Sequence, residues 1–190
     1  MCVIILFHTS PVVILFENWR EYLIERFYSK IRKGWRILEI GTGMLSNLEI
    51  LLDSCAYKAK VWTVDPSVSS LKKAAKIFYR LVKSGFLFPV EGTAENLKFE
   101  DKFFDLVVST MTFHHVNDVK KAISEAWRVT KNGGYIVILD WSENGAIYTP
   151  HDPEMLENAK KKVINAFGEL AGEKLTVEEY SEWYVAYAQK

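Results

Sequence analysis

Short apolar runs alternate along the chain with longer stretches in which apolar residues recur every three or four positions. The short runs predict buried strands, at residues 36–40, 60–64, 86–91, 104–109 and 135–139. The longer stretches predict amphipathic helices, at about residues 17–33, 46–55, 68–82, 118–129 and 152–170. Strands that alternate with helices in this way are typical of a parallel sheet with helices on both faces.

The last residues predict two further strands, at 174–180 and 183–188, which form a closing antiparallel pair. We therefore expect an α/β protein with a single Rossmann-like, doubly wound sheet of about seven strands. Most strands should be parallel, with an antiparallel last strand, but the strand order does not follow from the sequence. Polar residues suited to cap three of the helices are Ser46 or Asn47, Ser67, and Asn117 or Asp118.

Composition places the chain among ordinary globular proteins. Its 190 residues are 49% hydrophobic and 25% charged, which suits one domain with its own core. The 24 basic and 24 acidic residues cancel, so we expect no binding to nucleic acid. Two cysteines, Cys2 and Cys55, can build neither a disulfide framework nor a cysteine-rich zinc site, which favours the cytoplasm. The expected layout of this one domain, 1–190, is an N-terminal helical cap at 1–34, a core at 35–142 and a C-terminal helix with closing strands at 143–190.

The first sixteen residues are nearly all apolar and raise the question of a signal peptide or membrane anchor. No Lys or Arg precedes the run, residues 8–11 interrupt it, and neither half approaches the ~20 residues of a membrane span. We expect two short buried segments joined by a turn at Pro11, and no membrane span. A mis-set start codon and an apolar contact in a homodimer stay open as alternatives.

The candidate chemistry lies where the predicted strands end, because ligands of open α/β sheets bind at the carboxyl ends of the strands. The first strand runs directly into Gly41-Thr42-Gly43, where glycine lets the backbone turn tightly beside a ligand. Asp65 ends the second strand, at the position where a carboxylate would hold a ribose diol. Together these residues indicate a cofactor that carries a nucleoside.

The charges around this loop indicate which nucleoside. NAD and FAD would present a diphosphate here, yet no Lys or Arg occurs from residue 37 to residue 57. Glu39 lies at the entrance of the loop, and Glu49 and Asp53 lie in the following helix. An acidic environment suits S-adenosylmethionine (SAM), which has a sulfonium, an ammonium group and no phosphate.

Four segments carry a family resemblance: ILEIGTG (37–43), VDPS (64–67), GTAENLKFEDKFFDLVVSTMTFHHV (92–116) and RVTKNGGYIVILDW (128–141). In this order and spacing they resemble class I SAM-dependent methyltransferases, especially the ubiquinone and menaquinone methyltransferases. The resemblance covers about residues 30–142, the expected cofactor-binding core. It implies a seven-stranded sheet with an antiparallel last strand, and S-adenosylhomocysteine as the product of SAM.

The resemblance also assigns cofactor-binding roles to residues of this chain. It implies that Glu39, Gly41, Thr42 and Gly43 surround the methionine part of SAM. It further implies that Asp65 binds the ribose, with Pro66, Thr93, Ala94 and Glu95 around the adenine, and Ser109 and Thr110 near the sulfonium methyl. Leu45 departs from the family, which often has a third small residue there, and Leu45 either packs in the core or narrows the pocket.

His114 and His115 are the candidate general bases, since histidine titrates near neutral pH. One or both could instead pack or orient the next helix. We expect no metal, because neither His8 nor His151 completes a ligand spacing with this pair.

The acceptor is expected to be a small molecule that receives the methyl group at O, N or C. Its pocket could be lined by the aromatic residues Trp19, Tyr22, Tyr28, Trp141 and Tyr148, although the spacing of Trp19 also suits core packing. The Asn-Pro-Pro-Tyr-like motif of amino methyltransferases is absent after the fourth strand, which reads Ser109-Thr-Met-Thr. Two alternatives remain, a nicotinamide-dependent oxidoreductase and a catalytically silent SAM-binding subunit that stabilises a partner.

Overall fold

The computed structural model of the chain describes residues 18–190. The helices are α1 Trp19–Arg26, α2 Ser46–Cys55, α3 Val68–Ile77, α4 Tyr79–Lys83, α5 Val119–Val129 and α6 Pro153–Ala171. The strands are β1 Arg36–Ile40, β2 Lys60–Asp65, β3 Leu87–Glu91, β4 Phe104–Thr110, β5 Thr130–Trp141, β6 Thr176–Glu179 and β7 Trp183–Gln189. Residues 1–17 lie outside the described part, and with them the expectations for the apolar N-terminus.

The strands form one seven-stranded sheet in the order β3-β2-β1-β4-β5-β7-β6. β1 pairs in parallel with β2 on one side and with β4 on the other, as in the pairings of Leu38 with Trp62 and with Val107. β7 runs antiparallel to both of its neighbours, β5 and β6. The expected sheet is thus confirmed. The chain reverses its winding between β1 and β4, which opens a crevice at the carboxyl ends of these two strands.

Helices cover both faces of the sheet and create two hydrophobic cores. One core joins β1 to α1 and α2, through fully buried Ile37, Tyr22 and Leu48. The other joins the opposite face to α5 and α6, through Leu38 and Phe167. Adjacent residues of β1 thus point into different cores, as a strand buried on both faces requires.

The structure differs locally from the sequence expectations in three places. α1 ends at Arg26, and a short 3₁₀ helix at Tyr28–Lys30 continues the chain. The expected helix over 68–82 breaks at Phe78, which lets Phe78 pack against the core. Residues 131–134 precede the strand expected at 135–139 but lie within β5, where they form a bulge opposite β4 and Gly133 and Gly134 hydrogen-bond to the backbone of Lys190.

The caps of the helices follow expectation except at α2. Ser67 accepts a hydrogen bond from the Ser70 N–H, and Asp118 accepts one from the Lys121 N–H. At α2 the N-cap is Leu45, in the left-handed conformation (φ 75°), so neither Ser46 nor Asn47 caps that helix. The Leu45 side chain is buried in the core, and this packing offsets the strain of the left-handed backbone.

No helix within residues 18–190 combines the length and the apolar character that a membrane crossing needs.

Candidate active site

A cavity of about 950 Å³ opens at the carboxyl ends of the parallel strands. Its walls come from the loops that follow β1, β3 and β4, from the ends of β2 and β5, and from the segment before α6. Trp19 and Arg20 of α1 cover part of it. The cavity therefore lies where the reversal of the sheet predicts a ligand.

The loop after β1 approaches the loop after β4 so closely that only glycine fits at Gly41. Its φ of +92° is left-handed, and a Cβ there would lie 2.0 Å from Thr112 Oγ1. The Gly41 N–H donates to the Val64 carbonyl at 2.8 Å, which holds the loop against β2. Gly43 also has a positive φ, of +43°, and a Cβ there would meet only the Gly41 carbonyl oxygen, at 3.9 Å. Backbone without side chains thus forms this wall of the cavity.

Asp65 connects this loop to the turn after β2. Its Oδ2 accepts the Gly43 N–H at 2.9 Å, and its Oδ1 accepts the Ser67 N–H at 2.7 Å. The residue is only 8% exposed but lines the cavity. A carboxylate oxygen has two acceptor sites, so each oxygen keeps one for the hydroxyl groups of a ligand.

Glu39 lies behind the wall of the cavity and does not line it. Its carboxyl accepts the Thr63 hydroxyl, and that hydroxyl shares a hydrogen bond with Thr42 at 2.5 Å. Complete burial raises the pKa of Glu39 to about 8, although the Thr63 and Asn47 hydrogen bonds oppose the shift. Glu39 therefore braces the glycine loop from below through two threonine hydroxyls.

Ser109 is likewise a bracing residue, since its hydroxyl donates to the Ile40 carbonyl at 2.8 Å. The other residues assigned by resemblance do line the cavity: Gly41, Thr42, Gly43, Asp65, Pro66, Thr93, Ala94, Glu95 and Thr110. Glu95 accepts the Asn117 N–H at 3.2 Å and so joins the loop after β3 to the segment that precedes α5.

His114 lies on the opposite wall and is held by Asp140 at the end of β5. Its Nδ1 lies 2.6 Å from Asp140 Oδ1, and its backbone N–H donates to Asp140 Oδ2 at 2.9 Å. His114 is 8% exposed and Asp140 1%. Because an ionised carboxylate only accepts, Nδ1 carries the proton, and Nε2 keeps its lone pair in the neutral ring.

His115 and His151 complete this wall. The ring centroids of His114 and His115 are 4.0 Å apart, and His151 lies 4.9 Å from each. Burial, followed by the neighbouring imidazoles of His114 and His151, lowers the pKa of His115. We call His114, His115 and His151 the histidine cluster.

Sequence reasoning missed two features of this wall, the convergence of His151 on the pair and the role of Asp140. An acidic residue directly after the fifth predicted strand was the available signal for Asp140. Of the aromatic residues expected at the acceptor, Trp19, Trp141 and Tyr148 line the cavity, and Trp141 stacks on Tyr148 with 5.8 Å between the ring centroids. Tyr22 and Tyr28 do not line it, because both are buried in the core.

Comparison with known proteins identifies the family of this chain. Residues 38–138 match the family described as "Methyltransferase domain", which is more than half of the chain. The chain belongs to the methyltransferase domain family. Within that family it is of the class I, SAM-dependent type.

Two curated relatives of this methyltransferase domain are described as ubiquinone/menaquinone biosynthesis C-methyltransferases. The protein from Brucella anthropi is 31% identical over 128 residues, which cover 66% of this chain and 48% of that protein. The protein from Rhizobium etli is 29% identical over 125 residues, with the same coverage. The chain thus spans about half the length of the curated relatives it matches.

Solved structures share the fold of this methyltransferase domain. A SAM-dependent methyltransferase from Aquifex aeolicus matches with a TM-score of 0.71 at 22% identity, over 89% of this chain and 88% of that one. The geranyl diphosphate C-methyltransferase of Streptomyces coelicolor matches with a TM-score of 0.68 at 12% identity, over 90% and 78%.

The residues of this methyltransferase domain fit SAM on two grounds. At Gly43, which lines the cavity, a Cβ would meet nothing nearer than the Gly41 carbonyl oxygen at 3.9 Å, so this part of the loop offers bare backbone to a ligand. Arg20 is the only Arg or Lys among the described residues that line the cavity. A cation without phosphate is therefore better matched here than a diphosphate.

Proposed function

We propose that this chain transfers the methyl group of SAM to a small-molecule acceptor by direct in-line transfer, with S-adenosylhomocysteine as the other product. One observation carries the proposal: a single cavity joins the Gly41 loop and Asp65 to a second wall with the histidine cluster and aromatic rings. One wall suits a nucleoside cofactor, and the other leaves room for an acceptor. A reaction between two bound molecules needs both.

The cofactor-binding residues of this proposal divide by position. The backbone of Gly41, Thr42 and Gly43 lies along the methionine part, and Asp65 receives the ribose hydroxyls. Pro66, Thr93, Ala94 and Glu95 border the adenine, and Thr110 lies toward the methyl group. Glu39 and Ser109 act one layer deeper, because they hold these loops in place without lining the cavity.

SAM supplies a methyl group that is already activated on a sulfonium. The chain therefore has to align the acceptor and remove its proton where it has one. We assign the proton-accepting role to His114 and His115. His114 is the better placed of the two, since its Nδ1 contact with Asp140 fixes the orientation of its ring.

Two observations support a planar or apolar acceptor that is methylated at carbon. Trp141 and Tyr148 form a stacked aromatic surface, which suits a planar or apolar molecule. The relatives described above as C-methyltransferases favour carbon over oxygen or nitrogen as the methylated atom. The oxidoreductase alternative is not favoured, and neither is a silent SAM-binding subunit.

Calorimetry tests the cofactor. We expect SAM to bind with micromolar affinity, on the order of 7 to 8 kcal/mol, and Asp65→Ala to weaken binding at least tenfold. Asp53→Ala is the matched control, because Asp53, which the sequence suggested as part of an acidic environment around the cofactor, is an exposed acid of α2 and does not line the cavity. Stabilisation by NAD(H) but not by SAM or S-adenosylhomocysteine would overturn the proposal.

A panel of small acceptors tests the transfer itself. Incorporation of labelled methyl by the isolated chain is expected, with the largest signal from planar, apolar compounds. A chain that binds SAM, methylates nothing and co-purifies with another methyltransferase would instead be the silent subunit.

We further propose that the protein acts in the cytoplasm as a homodimer joined by the apolar residues 1–16. Fractionation of cells and light scattering of the full chain test these two points. Substitution of Ile4 and Ile5 by Ser should yield monomers if the contact exists, and an unchanged mass would refute it.

A further inference from the structure

The histidine cluster brings together three imidazole rings from two separate segments. His114 and His115 follow β4, whereas His151 precedes α6. One ligand nitrogen from each residue lies within 4.8 Å of the other two. All three residues line the cavity.

Asp140 gives the cluster a feature that metal-binding histidines share. A histidine that binds a metal commonly donates its other ring N–H to a carboxylate, which fixes the tautomer and directs the lone pair to the metal. His114 makes this contact, with 2.6 Å between Nδ1 and Asp140 Oδ1. The lone pair of His114 Nε2 is therefore available for a metal, and the orientation of the ring is fixed before the metal binds.

The rings of His115 and His151 have nitrogens that are available as metal ligands. The ring nitrogens of His115 and His151 make no hydrogen bond within residues 18–190. His115 is exposed and His151 half-buried, so both rings can rotate. Tetrahedral Zn–N bonds of about 2.0 to 2.1 Å place ligand nitrogens ~3.3 Å apart. The two free rings need only small rotations toward His114 to reach that spacing.

We infer that His114, His115 and His151 bind one divalent transition-metal ion, with Zn²⁺ the best match. Imidazole ligands suit zinc and its neighbours, whereas Mg²⁺ and Ca²⁺ require oxygen ligands. Three histidines leave a fourth position open toward the cavity, the arrangement that catalytic zinc sites use.

The open coordination position indicates which class of acceptor the protein methylates. This indication rests on the proposed methyl transfer. A hydroxyl or enol oxygen of the acceptor coordinates the ion, which lowers the pKa of that group. Its O–H bond breaks, the proton goes to solvent, and the electron pair stays on the acceptor. In the metal-bound protein the ion thus replaces histidine as the agent that activates the acceptor.

Metal binding is tested on the full chain after dialysis against a chelator. We expect calorimetry to show one Zn²⁺ per chain, and Co²⁺ to give the intense visible absorption of a tetrahedral site. His115→Ala and His151→Ala should each weaken Zn²⁺ binding at least tenfold. Glu154→Ala, an exposed acid near His151, should leave it unchanged.

His115 and His151 are chosen because neither is buried, whereas His114→Ala would remove the ring N–H that buried Asp140 accepts. Asp140→Asn provides a second measurement and should weaken Zn²⁺ binding tenfold or more. Absence of Zn²⁺ binding, or equal binding by wild type and His151→Ala, overturns the inference. SAM binding by the metal-free chain is measured separately, so its loss would refute the proposed function and leave the metal site standing.

Discussion

The two walls of the cavity are built in different ways. The cofactor wall consists mainly of backbone, in the Gly41 loop and the turn after β2, and Asp65 joins these two segments through N–H groups. The acceptor wall consists of side chains that arrive from three places along the chain, with Asp140 in β5 holding His114. The first wall is encoded locally, and the second exists only after the sheet and α6 have assembled.

This difference predicts how each wall responds to substitution. A backbone wall tolerates no Cβ where two loops touch but is insensitive to distant residues. A wall of converging side chains loses its geometry when one partner is removed, while the fold survives. Binding of SAM and activation of the acceptor should therefore be separable by single substitutions.

The largest effect is expected from Gly41→Ala, on the cofactor wall. The new Cβ would lie 2.0 Å from Thr112 Oγ1, and φ of +92° strains any residue with a side chain. Separation of the two loops should abolish measurable SAM binding and destabilise the fold by about 3 kcal/mol or more. Calorimetry and urea unfolding measure the two quantities.

Gly133→Ala is the control that distinguishes backbone strain at a positive φ from the steric clash of the new Cβ in Gly41→Ala. Gly133 has a similar φ of +79°, but nothing lies within 4 Å of its potential Cβ, and it is far from the cavity lining. We expect a cost of about 1 kcal/mol and unchanged SAM affinity. If both variants bind SAM like wild type, the close approach of the loops is not part of the site.

The difference between the two walls explains which residues of the site could be predicted from the sequence. Gly41, Gly43 and Asp65 stand directly at strand ends, so their position in the sheet follows from the alternation of strands and helices. The contact of His151 with His114 spans the whole of α5 and β5, and no local spacing encodes it. Leu45 at the start of α2 was unpredictable for another reason, since its left-handed backbone is stabilised by core packing and not by a cap.

A second prediction concerns the layer beneath the cofactor wall. The pKa of Glu39 is raised from 4.5 to about 8, so the folded protein holds a proton that the unfolded chain releases between these values. Its contribution to stability is fully present below pH 4.5 and is lost as the pH rises through 8. From pH 5 to pH 8, the titration of Glu39 should lower the unfolding free energy of the wild-type protein by about 3 kcal/mol.

Glu39→Gln removes that titration and retains an oxygen that can accept the Thr63 hydroxyl. The difference in unfolding free energy between the variant and wild type should therefore grow in favour of Gln from pH 5 to pH 8. Urea titrations at several pH values measure it. A difference that stays constant with pH would show that Glu39 is not the buried acid described here.

A third prediction moves to the acceptor wall. Asp140→Asn keeps one acceptor oxygen but sets an NH₂ group against the N–H groups that Asp140 now accepts, from His114 and Trp141. We expect a loss of about 2 kcal/mol in stability and a fall of roughly 30-fold in the turnover of methyl transfer. The Kd for SAM should change less than about twofold, because within residues 18–190 the side chain of Asp140 hydrogen-bonds only to His114 and Trp141. Weaker SAM binding in this variant would contradict the independence of the two walls.

The smallest effect is expected from Tyr148→Ala. Tyr148 is 64% exposed and contributes only one face of the stack on Trp141, so its loss should change the unfolding free energy by less than about 0.5 kcal/mol. The surface offered to a planar acceptor shrinks, which should lower methyl transfer at limiting acceptor about threefold to tenfold. Tyr79→Ala is the matched control, an exposed tyrosine of α4 outside the cavity lining, and it should change neither transfer nor SAM binding. Equal rates for both variants would show that the acceptor lies away from the aromatic rings and against the histidine cluster alone.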